Sequence, residues 1–218
     1  MDPTSVRIGN DPYDLHGKVA SGEFCDVYYG SRVDPLEVVT VKLARDNTQD
    51  DIDSLNHEAS ILKILSKSEV QGFDHFRHLV PQVVEGSCGG GCNVKGPDGF
   101  VGTANVFRWK SGFHYTLEDV CRAYPQGLDP RALVWIWKRI LEVLGWVHRN
   151  KIIHGSITPQ HILIHPRDHG AVRVGWSRAV PVGRPLGIRS TAYETFYPED
   201  TLAGPPTNTM PALVLVAR

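Results

Sequence analysis

No stretch of this 218-residue chain stays apolar for the roughly 20 positions that a membrane-spanning helix requires. The opening MDPTSVRIGNDPYDL also lacks a basic segment followed by an apolar core. The sequence therefore predicts a cytoplasmic protein with no membrane association. Cysteine is scarce, and four residues in a chain of this size do not make a disulfide scaffold. Cys88 and Cys92 flank three glycines in CGGGC, but no second ligand pair stands nearby, so a turn is expected there and not a zinc site. Excess charge of one sign is missing as well. With 23 basic and 24 acidic residues, a net charge of −1 creates no global field that would draw the chain to nucleic acid or anionic lipid. Internal repeats and extended low-complexity tracts are absent.

What is present is an ordinary globular composition, 41 % hydrophobic and 22 % charged, enough to bury one good core or two small ones. HGKVASGEFCDVYYGSRV followed by EVVTVKLA predicts three short strands, because β-branched and aromatic residues recur between Gly, Asp and Pro punctuation. From Asp51 to Lys67 the period becomes helical, and Asp50, Asp51 and Asp53 complement the positive end of that helix. LVPQVVEGSC and FVGTANVFRW predict two further strands joined by a Gly-rich connection, Gly86 to Gly99. A helix signalled by TLEDVCRAY comes next, then a long one over DPRALVWIWKRILEVLGWVHRNK. Asp129 can cap the long helix and Pro130 suits its first turn. Leu133, Ile136, Trp137, Ile140, Leu141, Leu144, Val147 and His148 form its main apolar stripe. HILIHP and AVRVGW predict a short strand pair. Five strands interrupted by one helix, then mainly helix, make an α+β protein of two lobes.

Several motifs stand in a characteristic order: VASGEFCDVYYG, VTVK, HEASIL, IIHGSITPQHILI, VGWS and YPE. In that order and spacing the chain resembles the eukaryotic-type protein kinase family from about Leu15 to Asp200. The resemblance implies a kinase-like two-lobe fold. Residues 1–14 would be an N-terminal extension, 15–107 an N-lobe with a five-stranded sheet and one helix, and 108–200 a partial C-lobe. Residues 201–218 would form a Pro-rich and apolar tail. Lys42 matches the lysine that pairs with ATP phosphates and Glu58 its acidic partner. Val19, Val27 and Leu163 match positions that sandwich adenine, and as apolar side chains they are expected to be buried in any case. Gly22 is the middle glycine of the phosphate-cradling loop.

Phosphoryl transfer needs ATP and a hydroxyl held in line, with Mg²⁺ neutralising phosphate charge, and a hard cation requires oxygen ligands. Here the chain departs from the family pattern. The catalytic aspartate is replaced by Ser156, whose hydroxyl accepts no proton at neutral pH, and the lysine two residues on is Thr158. One metal-binding position carries His161, a nitrogen ligand suited to zinc or copper more than magnesium, and the other carries Gly175, with no side chain at all. In the glycine-rich loop Ala20 and Cys25 replace the outer glycines, and Cys25 narrows the turn. His154 matches a family histidine that braces the loop. His165 and His169 flank a turn, as does Asp168, and none is expected to serve as a metal ligand or relocated base.

These departures predict a catalytically inactive, truncated kinase-like protein, with weak ATP binding that uses no magnesium and loss of nucleotide binding both open. A divergent active kinase and a non-functional partial gene product are the rival readings. A protein partner or self-association is expected. Trp135 and Trp146 fall on the charged face of the long helix, amid Lys138, Arg139, Glu142 and Arg149, where both would mark an interface.

Overall fold

A computed structural model describes residues 5–8, 11–84, 92–95, 101–168 and 170–184. Cys88, His169, the YPE motif at 197–199 and the tail at 201–218 lie outside the described residues. The chain divides into two compact units, one of residues 1–66 with 81–110 and one of residues 67–80 with 111–218.

The first unit is built on an antiparallel sheet of β1 (Ser5–Ile8), β2 (Asp11–Ser21), β3 (Cys25–Arg32), β4 (Glu37–Ala44), β5 (Cys92–Lys95) and β6 (Val101–Arg108), in spatial order β1-β2-β3-β4-β6-β5. Because β1 also touches β5, the sheet curls toward closure. Alternation sets the two faces. Val39, Val41 and Leu43 of β4 turn inward onto Val6, Tyr13, Tyr28, Ala104 and Val106, while Thr40 and Lys42 between them point the other way. Helix α1 (Gln49–Ser66) starts on a reciprocal cap. The Thr48 amide donates to Asp51 Oδ2 at 3.1 Å and the Asp51 amide donates to Thr48 Oγ1 at 3.3 Å.

Two strand expectations change. Among the described residues the sheet has six strands where five were expected, because residues 5–8 pair with 11–14 and residues 92–95, within the expected Gly-rich connection, pair with β6. Over its described residues, 79–84, LVPQVVEGSC contributes an isolated bridge, Val83 to Phe107, held by the Val84 amide on Val106 O and the Arg108 amide on Gln82 O. Pro81 has no N–H to give and interrupts any longer pairing.

The second unit contains α2 (Phe73–Phe76), β7 (Tyr115–Thr116), α3 (Leu117–Ala123), α4 (Pro130–Arg149), β8 (Ile152–Ile153), β9 (Ile162–Ile164), β10 (Ala171–Arg173) and β11 (Val180–Pro181). Thr116 and Asp119 form a capping box for α3, and the Asp129 side chain caps α4 ahead of Pro130. Strands β10, β9 and β7 make one small antiparallel sheet, and β8 pairs with β11. Ile136, Ile140, Leu144, Ile162, Ile164 and Ala171 close a core between α4 and that sheet.

The apolar stripe of α4 is rotated from its expected setting. Ile136, Ile140, Val143, Leu144, Trp146 and Val147 are buried, whereas Leu133 and Leu141 are each 46 % exposed. Trp146 is wholly buried, against expectation, because Phe73 and Phe76 of α2 lie with ring centroids 6.4 and 6.0 Å from its own. The sequence reading assigned no element to GFDHF, so it left this tryptophan uncovered. Trp135 remains 49 % exposed, as expected.

Candidate nucleotide site and the His154–His161 loop

In the first unit, Lys42 sits on the central strand β4 between Val27 of β3 and Asn105 of β6. Its Nζ lies 2.6 Å from Glu58 Oε1, with Glu58 almost wholly buried. Asn105 Nδ2 donates to Leu55 O at 2.8 Å and reaches Glu58 Oε2 at 3.5 Å, which fixes the carboxylate on its far side. Burial works against the lysine charge. The Glu58 carboxylate, through its charge and the hydrogen bond it accepts from Nζ, outweighs it and holds the Lys42 pKa above the usual lysine value. Burial raises the Cys25 thiol above its ordinary pKa, which keeps it protonated and unreactive. Asn105 escaped the sequence reading, although Thr103 and Asn105 at alternate positions of β6 are polar and buried, the period of an inward polar face.

Gly22 lies at the β2–β3 turn, where its amide donates to Cys25 O at 2.8 Å. That N–H is therefore committed within the turn. Val19 is 55 % exposed and Val27 half-buried, so burial as generic apolar side chains does not describe them. In the second unit Leu163 is half-buried between the buried Ile162 and Ile164 of β9.

The loop from His154 to His161 lies in the second unit. The Ser156 amide donates to His154 Nδ1 at 3.3 Å, and Val174 O lies 3.1 Å from Nε2. An amide only donates and a carbonyl only accepts, so His154 is the Nε2–H tautomer. It is fully buried, and its ring lies 4.4 Å from that of Trp176. His161 follows in a 3₁₀ turn, Pro159–His161. Its Nδ1 lies 2.8 Å from Ser156 O, 3.0 Å from Ser156 Oγ and 3.3 Å from Thr158 Oγ1. The carbonyl at the shortest distance requires a proton on Nδ1.

This tautomer decides what the cluster can do. With Nδ1–H donated to the carbonyl, His161 has no lone pair on that nitrogen to take a proton from Ser156. Ser156 and Thr158 are 2 % and 1 % exposed, so neither hydroxyl is presented as a nucleophile. Serine and histidine here brace the loop.

Gly175 adopts φ 77°, in the left-handed region. A Cβ at this position would lie 2.6 Å from His161 Nε2. The imidazole thus fills the space that a side chain at 175 would enter. An oxygen-rich magnesium site does not fit these residues, which offer one ring nitrogen and no carboxylate. Among the described residues, no three His, Cys, Asp or Glu side chains converge to hold a metal. Asp168 Oδ2 lies 3.4 Å from His165 Nδ1 in the β9–β10 turn, and its own amide bonds that same nitrogen. Lys42, by contrast, keeps a buried ammonium paired to Glu58 at 2.6 Å, the type of cation that could meet a phosphate.

One buried group was not anticipated. Arg173 of β10 is fully buried, and none of its three guanidinium nitrogens has a partner among the described residues. Burial pushes its pKa down to about 9. Arg173 ends the three-residue strand β10, too short for alternation to mark a buried face.

No family model matches this chain. Over 171 residues it is 23 % identical to serine/threonine-protein kinase atg1 of Schizosaccharomyces pombe. The match covers 75 % of this chain but only 19 % of the length of that relative. Among the described residues, no helix is long and apolar enough to cross a membrane. This distant similarity points to a protein-kinase-like relationship, and the curled antiparallel sheet carrying one helix is compatible with it.

Proposed function

We propose that this chain is a protein-kinase-like domain that transfers no phosphate and acts by binding a protein partner, with at most weak ATP binding that needs no magnesium. The observation that carries this reading is the His161 ring standing where a side chain at Gly175 would be. The two positions that would hold the metal are replaced in a mutually fitted way, one ring filling the other's space. Ser156, buried and bonded to that ring, offers no base in their place. A divergent active kinase would need a relocated carboxylate, and Asp168 is instead engaged with His165 in a turn.

Nucleotide binding rests on Lys42, held by Glu58 within the first unit. ATP titrated into the intact chain, followed by thermal shift, is expected to give a small stabilisation that is the same with and without Mg²⁺. Lys42→Ala should abolish it. Neither the native chain nor Ser156→Asp should transfer phosphate from Mg-ATP to itself or to a generic substrate. Phosphate incorporation that disappears in Lys42→Ala, or nucleotide binding that strictly requires Mg²⁺, would overturn the proposal.

A further inference from the structure

The partner-binding part of this reading lacks a surface, and α4 provides one. With Leu133 at zero and about 100° per residue, Trp137, Leu141, Val134 and Gly145 follow at about 40°, 80°, 100° and 120°. Leu133, Val134 and Leu141 are 46 %, 65 % and 46 % exposed, while the buried set of the same helix runs from Trp146 at about 220° to Leu144 at about 20° and borders this arc at Leu133. Leu133, Trp137, Leu141 and Gly145 are spaced four apart, which lines them into one ridge that ends on a glycine, the kind of surface a second helix packs against. Trp137 and Gly145 are half-buried within the ridge, and the exposed apolar surface at Leu133, Val134 and Leu141 marks an interaction site.

Charge decides the occupant. Along the outer flank of the ridge stand Lys138, Arg131 and Arg149, at about 140° and 160° on the same scale, and Glu142 at about 180° is the one acidic residue of this helix. Arg131 leans on the capping Asp129 and Lys138 on Glu142, through pairs exposed enough to exchange readily. Lys138 and Arg139 also sit 5.8 Å over the exposed Trp135 ring. A second copy laid antiparallel on this ridge would bring two cationic flanks side by side. We infer that the Leu133–Trp137–Leu141 face of α4 docks an amphipathic helix of a partner protein, with its apolar ridge bordered by Asp and Glu side chains. The inference rests on the proposed partner-binding role and names the partner's chemistry.

The test uses the full chain and two labelled, designed 18-residue helical peptides with one leucine ridge, flanked by glutamate in one and by lysine in the other. Fluorescence anisotropy at low salt is expected to show the glutamate peptide binding at least tenfold tighter, and losing about that much at 0.5 M salt. Leu141→Glu should weaken it at least tenfold with the circular dichroism spectrum unchanged. Lys138→Glu combined with Arg149→Glu, at exposed positions that leave the ridge intact, should reverse the peptide preference. Equal binding of both peptides, or binding of neither, would overturn the inference. So would a mass that rises with concentration and falls back in Leu141→Glu, which would make the occupant a second copy. None of these readouts involves nucleotide. Failure here therefore stands apart from phosphate transfer, whose detection would instead sink the inactive reading.

Discussion

Replacing Arg173 by methionine is expected to stabilise the protein by about 1–4 kcal/mol at pH 7, the range found when buried ionic groups give way to apolar ones of similar volume. For a chain of this length, about 2 kcal/mol corresponds to a rise of about 4–8 °C in the melting temperature. The reason is the absence of compensation. A guanidinium removed from water loses hydration at each nitrogen, and among the described residues nothing replaces it. Methionine keeps the length and volume without the charge. Trp176 Nε1 donates to the carbonyl of residue 173 at 3.1 Å, a backbone contact that the substitution leaves in place.

The pH dependence follows from the direction of the shift. The folded-state pKa of Arg173, about 9, lies well below the ordinary arginine value, so the unfolded chain binds the proton more tightly. The full cost is therefore present at every pH below about 9 and fades as pH rises from there toward the ordinary arginine value. Urea denaturation of both proteins at pH 7 and pH 10 should show the advantage of Arg173→Met shrinking at the higher pH. A variant less stable than the native chain at pH 7 would mean that the guanidinium has an anionic partner after all.

How much of this was legible beforehand depended on whether a residue's role is local. Asp129 and Pro130 announce the start of α4, and the Thr116–Asp119 box announces α3, because caps are made within one turn of chain. Lys42 and Glu58, sixteen residues apart, were paired only through the family resemblance, and the 2.6 Å contact follows from a strand and a helix that no periodicity places side by side. Trp146 was misread for the same reason, since its cover comes from Phe73 and Phe76, some seventy residues earlier in the chain. Helical spacing says which residues share a face. It does not say what lies against that face. Likewise the losses at Ser156, His161 and Gly175 were visible one by one, but not that the second fills the space left by the third.

That fit between His161 and Gly175 is open to a double-mutant cycle. Gly175→Ala alone is expected to destabilise by about 2–4 kcal/mol, from two causes. One is backbone: at φ 77° any L side chain is strained, worth about 1 kcal/mol. The other is steric, since the new methyl would fall 2.6 Å from Nε2 of the imidazole and must push the ring aside. The ring can move only by giving up the 2.8 Å bond from Nδ1 to the Ser156 carbonyl, within a loop whose hydroxyls at 156 and 158 are nearly inaccessible. In a His161→Ala background the steric cause is gone and the backbone cause remains, so Gly175→Ala should there cost only about 1 kcal/mol. The loss of the Ser156 bond is common to both members of that pair and cancels. The two sites should therefore couple by at least about 1 kcal/mol, more than the 0.3–0.5 kcal/mol scatter of independent sites. Urea denaturation of the four proteins measures this directly. Additive effects would show that the imidazole does not occupy the place of the missing side chain, and the argument for a closed metal site would lose its foundation.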